Sequence, residues 1–379
     1  MDGAGNLYGT TAGGGTSSEG VVFRLTPDAT RTKWQETVLH AFCPPFTDCP
    51  DGAQPYGGLI MDTAGNLYGT TTYGGAHYAG VVFKLTPNQD RTGWTYSLLY
   101  SFCSQSNCLD GASPVSGVIL DAAGNLYGTT PGYGGGWSAG VVYQLAPSQN
   151  QSAWTYTVLQ TFCTPNNCAP GGAPNGLVLD KDGNVYGVVN GQYDSNGFVF
   201  RLAPNDSHTA WTTTVLYSFC QQNNCADGLY PDDGLAMDEK GNLYGTTELG
   251  GEWGKGTLFR LSPAGAQWSL NTLYSFCRFA GCRDGFMSGL SFDGHLLLAG
   301  SGTLYSTRFY GGWYGAGAVF PFNLVPENNL SVTESGPGTV TSSPAGIDCR
   351  NSCGAEFPPG TAVTLTAIPD QGAIFAGWA

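Results

Sequence analysis

The chain has 379 residues, of which 41% are hydrophobic, 13% aromatic and only 11% charged, with 58 glycines. That much apolar surface supports a large buried core and excludes a disordered or fibrous chain. A formal net charge of −14, with 14 scattered Lys and Arg, excludes a nucleic-acid backbone as partner, because phosphate binding needs clustered bases.

The first element already belongs to a repeat. Gly-Asn-Leu-Tyr-Gly stands at Gly5–Gly9 and returns at Gly65–Gly69, Gly124–Gly128 and Gly241–Gly245, with a Val variant at Gly183–Gly187 and a degraded copy at Gly302–Tyr305. The asparagines Asn6, Asn66, Asn125, Asn184 and Asn242 lie 60, 59, 59 and 58 residues apart. A fixed register of this kind marks a repeat architecture. Met1-Asp2 aligns with Met61-Asp62, so a leader and at least one strand are expected upstream. No apolar run approaches the roughly 18 residues of a membrane span, and the first residues do not read as a signal peptide.

The second module serves as the type. Gly58–Met61 is a short apolar strand, and Asp62–Asn66 is a turn whose Asp, Gly and Asn tolerate left-handed backbone. Leu67–Thr71 is a second strand rich in β-formers. A glycine- and aromatic-rich loop, Thr72–Ala79, leads to a third strand, Val81–Leu85. Thr86-Pro87 opens a polar loop, since proline cannot donate to a ladder. Trp94–Phe102 alternates as a fourth strand, and Cys103–Gly111 leads into the next copy. No segment has a 3.6-residue period. The fold class is therefore all-β, and four antiparallel strands repeated about six times predict a β-propeller of about six blades. The count is 22 strands, with the first module short of its opening strand and the last short of its closing one. Seven blades are the alternative. A β-solenoid is disfavoured because its coils are shorter and lack such hairpins. In a meander, alternate connections share a side. The cysteine loops and the Gly-Gly loops are thus expected on one face, and the Asp-x-x-Gly-Asn turns and Pro loops on the other.

The 12 cysteines form short local pairs: Cys43/Cys49, Cys103/Cys108, Cys163/Cys168, Cys220/Cys225, Cys277/Cys282 and Cys349/Cys353. Their spacing and the absence of a second pair or histidine nearby weigh against zinc and redox motifs, so structural disulfides and an exported protein are expected. The Gly-Gly loops carry Tyr73, Tyr78, Tyr133, Trp137, Tyr193, Trp253, Tyr310, Trp313 and Tyr314. Flat rings beside glycines suit sugar stacking or a protein interface; they equally suit packing between blades. The tryptophans Trp34, Trp94, Trp154, Trp211 and Trp268, and the tyrosines Tyr8, Tyr68, Tyr127, Tyr186 and Tyr244, recur at one register and read as blade packing. Asp51, Asp110, Asp227 and Asp284 follow the second cysteine, with Pro170 breaking the series. They could ring a Ca²⁺ site, but Asp-Gly is also an ordinary turn, and no metal site is assigned. The histidines His40, His77, His208 and His295 share no register, and no nucleophile elbow, zinc-protease helix or P-loop is present. The carboxylates Asp232, Asp233, Glu248 and Glu252 break the repeat, which fits either drift or a single glycosidase-type pair. No catalytic residue and no cofactor is assigned.

The copies of Gly-Asn-Leu-Tyr-Gly-Thr-Thr with Gly-Val-Val-Phe-x-Leu resemble the bacterial GloVer tandem repeat over about residues 1–322. The resemblance implies an extracellular protein and brings no catalytic residues. Residues 330–379, following a linker at 326–329, are similar to part of the divergent InlB B-type bacterial surface repeat. The residues carrying this likeness are Gly338–Ile347, Cys349-x-x-x-Cys353, Gly360–Thr366 and Phe375–Trp378. That module is a small β domain of cell-surface adhesins. The functional expectation is an extracellular or cell-surface propeller that recognises carbohydrate through its aromatic loops. The alternatives are an adhesive protein contacting other surface proteins and a polysaccharide-degrading enzyme.

Overall fold

The computed structural model describes residues 1–45, 47–131, 140–149, 152–163, 172–191, 195–232, 234–265, 267–279, 282, 284, 296–299, 302–308, 318–324, 328–333, 336–343, 347–349, 353–357 and 362–378. Module two folds as its sequence dictates. Ile60–Met61, Leu67–Thr71, Val81–Pro87 and Trp94–Ser101 form an antiparallel meander in chain order. The Leu67–Thr71 strand is buried throughout, as are its equivalents Leu126–Thr130 and Val185–Val189. Gly69 sits at its centre because a Cβ there would lie 2.7 Å from the Phe83 ring across the ladder.

The pattern repeats as six small sheets in a ring, a six-bladed β-propeller. The first sheet has three strands, Leu7–Thr11, Val21–Pro27 and Trp34–Ala41. The sixth also has three, Leu297–Leu298, Thr303–Arg308 and Ala318–Asn323. Both ends are thus short as expected. Module five adds a strand beyond expectation: Leu229–Pro231 pairs with Leu243–Leu249 alongside Ala236–Met237. In the first five sheets the third and fourth strands slip by one residue, leaving Leu39, Leu99, Leu159, Leu216 and Leu273 as bulges. A bulge twists an outer strand and blunts it against edge-to-edge pairing.

Aromatic residues weld each blade to the next. Tyr8, Tyr68, Tyr127 and Tyr186 meet Trp94, Trp154, Trp211 and Trp268 of the following module edge-on, with ring centroids 6.0 to 6.1 Å apart. Phe42 and Phe102 likewise meet Phe83 and Tyr143 of the following module at 5.2 Å. The Asp-x-x-Gly-Asn turns are equally uniform. Asp62 Oδ1 accepts the Ala64 and Asn66 amides at 3.0 and 2.8 Å, and Oδ2 accepts Asn66 Nδ2 at 2.7 Å and the Tyr68 hydroxyl at 3.0 Å. Asp2, Asp121, Asp180 and Asp238 do the same. Burial raises the Asp2 carboxyl, but the hydrogen bonds from Asn6, Tyr8 and Ala4 outweigh it and hold it at about 2. Burial and the neighbouring aspartate push Tyr127, Tyr186 and Tyr244 up to about 12.

Residues Met1–Leu297 with Ser306–Phe320 form one compact unit, and Leu298–Tyr305 with Pro321–Ala379 form another. In the second, Asn328–Ser331 pairs with Gly354–Phe357, and Gly338–Ser343 pairs with Thr364–Pro369. Cys349 and Cys353 are disulfide-bonded. A cavity of about 600 Å³ lies against Val340, Leu365, Ile374, Phe375 and Trp378.

Candidate functional site

The disulfide loops are built around an aspartate. Disulfides join Cys43 to Cys49, Cys103 to Cys108, Cys220 to Cys225 and Cys277 to Cys282. All eight of these cysteines have left-handed backbone, with φ between 47° and 69°. L-residues resist that conformation, so each loop needs support from outside the covalent link. Asp227 supplies it, accepting the Tyr217 hydroxyl at 2.7 Å and the Gln221 and Gln222 amides at 2.9 and 3.1 Å. Asp110 does the same with Tyr100, Ser104 and Gln105, and Asp284 with Tyr274, Arg278 and Phe279. In module one His40 takes the tyrosine's place, with Nε2 2.9 Å from Asp51 Oδ2. Each of these carboxylates therefore accepts hydrogen bonds from its own loop or strand, and the recurring Asp-Gly pair works as a structural staple. Among the described residues no three His, Cys, Asp or Glu converge as a metal site. Cys168 and Pro170 lie outside the described residues.

The Gly-Gly loop packs on the preceding disulfide loop, as the meander argument requires. Gly75 donates to the Cys49 carbonyl at 2.9 Å, and Gly251 to the Cys225 carbonyl at 3.0 Å. A Cβ on Gly74 would meet the Cys49 carbonyl and the Gly52 Cα, each at 2.6 Å. Ala53 and Tyr73 exchange two backbone hydrogen bonds at 2.8 and 3.1 Å. A second recurring link joins neighbouring modules: Gln54, Ser113 and Tyr230, all left-handed, donate to the Glu19, Ala79 and Asn196 carbonyls at 2.7, 2.7 and 2.9 Å.

On this frame Tyr73, Tyr78 and Trp253 are 47%, 59% and 50% exposed, so their rings face solvent and leave the blade core to other residues. Tyr78 holds φ 56° at a position where the sister loops carry Ser18 and Gly254. A bulky aromatic in that conformation is a strained choice of the kind found where side chains contact ligands. Tyr133, Trp137, Tyr193, Tyr310, Trp313 and Tyr314 lie outside the described residues. So do Asp233 and His295. Of the other repeat-breaking carboxylates, Glu252 is exposed while Asp232 and Glu248 are buried. His77 is exposed, and His208 meets Trp211 edge-on at 6.4 Å.

Sequence reasoning did not find the Tyr–Asp staple. A signal was available: module three has Gln160 in the tyrosine register and Pro170 in the aspartate register, so the two depart together.

The fold defines a disulfide-stapled propeller in which, among the described residues, two Gly-Gly loops seated on disulfide loops expose Tyr73, Tyr78 and Trp253. The Gloeobacter/Verrucomicrobia repeat model matches residues 1–189 and 152–348, and the chain belongs to that repeat family. No curated protein sequence matches the chain. Among solved structures, a protein from Lactobacillus plantarum matches at 13% identity and a TM-score of 0.47, covering 95% of this chain and 98% of its own. A protein described as a glucose dehydrogenase from Thermus thermophilus gives 16% and 0.45, covering 79% and 90%. An endo-arabinase from Bacteroides thetaiotaomicron gives 13% and 0.40, covering 75% and 98%. Among the described residues no helix is long and apolar enough to cross a membrane.

Proposed function

We propose that the protein is an extracellular or cell-surface propeller that binds carbohydrate on its disulfide face. The half-exposed rings of Tyr73, Tyr78 and Trp253 carry this reading. They stand on loops that backbone hydrogen bonds and disulfides hold rigid, so little conformational freedom is lost when a pyranose face stacks on them. Five disulfides among the described residues support an oxidising compartment. The test is a glycan array and a panel of soluble polysaccharides probed with the oxidised protein and with Tyr73→Ala, Tyr78→Ala and Trp253→Ala. Binding that weakens about tenfold in the variants supports the reading. Absence of binding to every glycan defeats it, and polysaccharide shortening during incubation replaces it with an enzymatic role.

A second reading, an adhesive protein contacting other surface proteins, is favoured by residues 330–379. Their likeness to an InlB B-type repeat, and the exposed Ile374, Phe375 and Trp378 beside the cavity of that unit, support a protein contact there. Both readings treat residues 1–325 as the propeller and 326–329 as a linker.

A further inference from the structure

Two of the Gly-Gly loops are built alike and stand on different blades. Gly74 and Gly75 both hold φ 78°, and Gly250 and Gly251 hold 82° and 77°. Gly80 donates to the Gly74 carbonyl and Gly256 to the Gly250 carbonyl, each at 3.0 Å. A fourth-strand serine closes each loop from within its own module. Ser101 Oγ accepts the Ala76 amide at 2.9 Å, and Ser275 Oγ accepts the Glu252 amide at 3.2 Å. Together with the bonds from Gly75 to Cys49 and from Gly251 to Cys225, these supports run within residues 49–101 for one loop and 225–275 for the other. Module one is the contrast. Gly13, Ser17 and Ser18 take the places of Tyr73, His77 and Tyr78, and Ala41, opposite Val21 as Ser101 is opposite Val81, has no hydroxyl to offer. Ring and serine are absent there together.

The two loops present different rings. Blade two exposes Tyr73, His77 and Tyr78. Blade five exposes Trp253 at the His77 register, with Leu249 and Gly254 at the tyrosine registers. Three seams separate these blades, marked by Tyr68–Trp154, Tyr127–Trp211 and Tyr186–Trp268. In a ring of six blades, three steps lead to the opposite side. Both loops belong to the disulfide face, so the two sets of rings face the same way from opposite sides of the axis. Groups separated by whole blades, each on its own supports, act additively.

We infer that the protein is at least bivalent: Tyr73 with Tyr78 on blade two and Trp253 on blade five are two separate sugar-stacking sites, and the ligand is a densely displayed polysaccharide that both engage at once. The inference rests on the glycan-binding reading and adds the number of sites and the polymeric nature of the ligand. Two sites on one rigid frame make the second contact intramolecular, so avidity for a polymer exceeds the affinity of either site by about 10²–10⁴-fold. Because the sites face the same way, they meet one polysaccharide layer and do not bridge two.

The experiment compares short and polymeric forms of the same sugars. Laminaritriose, cellotriose, mannotriose and xylotriose are titrated calorimetrically, and laminarin, hydroxyethylcellulose, mannan and xylan are immobilised on sensor surfaces at dense and sparse loading. A trimer that binds is expected to occupy more than one site per protein. Its dense polymer should hold the protein about 10²–10⁴-fold more tightly than the free trimer binds, and sparse loading should lose that gain. Tyr73→Ala with Tyr78→Ala should remove one trimer site and at least about tenfold of the gain, leaving the Trp253 site at its parental affinity; Trp253→Ala should do the converse. These side chains are exposed, and a parental unfolding midpoint shows that each variant folds. One trimer per protein, lost in both variants, overturns the inference in favour of a single composite site while the glycan-binding reading stands. Avidity for the dense polymer unchanged in both variants also overturns it, because recognition then lies away from these rings. If no trimer and no polymer binds, the inference falls together with the glycan-binding reading.

Discussion

Tyr143 is the place where one hydroxyl can be weighed almost alone. Modules one, two, four and five place Phe23, Phe83, Phe200 and Phe259 opposite a glycine in the second strand; module three places Tyr143 opposite Gly128. The Tyr143 side chain is fully buried, and its hydroxyl has no hydrogen-bond partner among the described residues. Burial alone pushes its ionisation far up. The neighbourhood has adapted to the extra atom. Leu59, Leu177 and Leu235 crowd the glycine in modules two, four and five with a methyl at 2.8 to 2.9 Å from a built Cβ, whereas module three has the smaller Val118. A buried hydroxyl without a partner costs about 1–3 kcal/mol in proteins. Removing it leaves a void of one oxygen, on the order of 10–15 Å³, which costs about 0.3 kcal/mol. Tyr143→Phe should therefore stabilise the propeller by about 1–2 kcal/mol, and Tyr143→Phe with Val118→Leu should add to that by filling the void. The assay is denaturant unfolding of the oxidised protein followed by tryptophan fluorescence, comparing midpoints at unchanged slope. A Tyr143→Phe variant less stable than the parent by 1 kcal/mol or more would refute the reasoning and reveal a partner for the hydroxyl.

Three further outcomes follow from the loops and turns. Asp227→Ala strands two backbone amides and a tyrosine hydroxyl, and should lower stability by about 2–4 kcal/mol with faster amide exchange at Gln221 and Gln222. Cys220→Ser with Cys225→Ser should cost less than the ~3 kcal/mol of a 15-residue closed loop, read from the same unfolding curves, because the loop is short and Asp227 still holds it. Asp2 and Asp238 are held below their ordinary range in the folded state, so the stability they supply is complete above about 4 and is lost as pH falls through their folded values. Asp2→Asn should flatten the acid limb of a stability-versus-pH curve between about 4 and about 2, and an unchanged limb would contradict the hydrogen-bond account.

The blade plan was legible because the repeat copies the hairpin chemistry at one register. Asp62-x-x-Gly65-Asn66 marks a turn and Trp94 a fourth strand, and both recur at one register through the first five copies. The two faces followed from strand parity alone. The extra strand Leu229–Pro231 was not legible, since Tyr230 in left-handed backbone leaves no periodic trace. Nor was the Tyr–Asp staple visible as an interaction, because its partners are ten residues apart across an irregular loop that no periodicity records. Of the site, the exposed rings Tyr73, Tyr78 and Trp253 were marked by their glycine neighbours. The left-handed backbone of Tyr78 and the seating of its loop on the Cys49 carbonyl needed coordinates, because the latter depends on how one module's loop rests on the last.

The Tyr156 hydroxyl donates to the Asp110 carbonyl at 2.5 Å and Tyr96 donates to the Asp51 carbonyl at 2.7 Å, so equivalent positions reach across each of these module boundaries. A junction of this kind is indifferent to which copies meet at it. Gain or loss of one whole period between these two boundaries would regenerate the same seam, so the modules that meet there behave as interchangeable tiles. The third copy has left that set. Toward module four its junction is a matched pair of its own: Gln160 accepts from Thr213, which stands where Tyr96 and Tyr156 stand in their modules, so the two departures belong together.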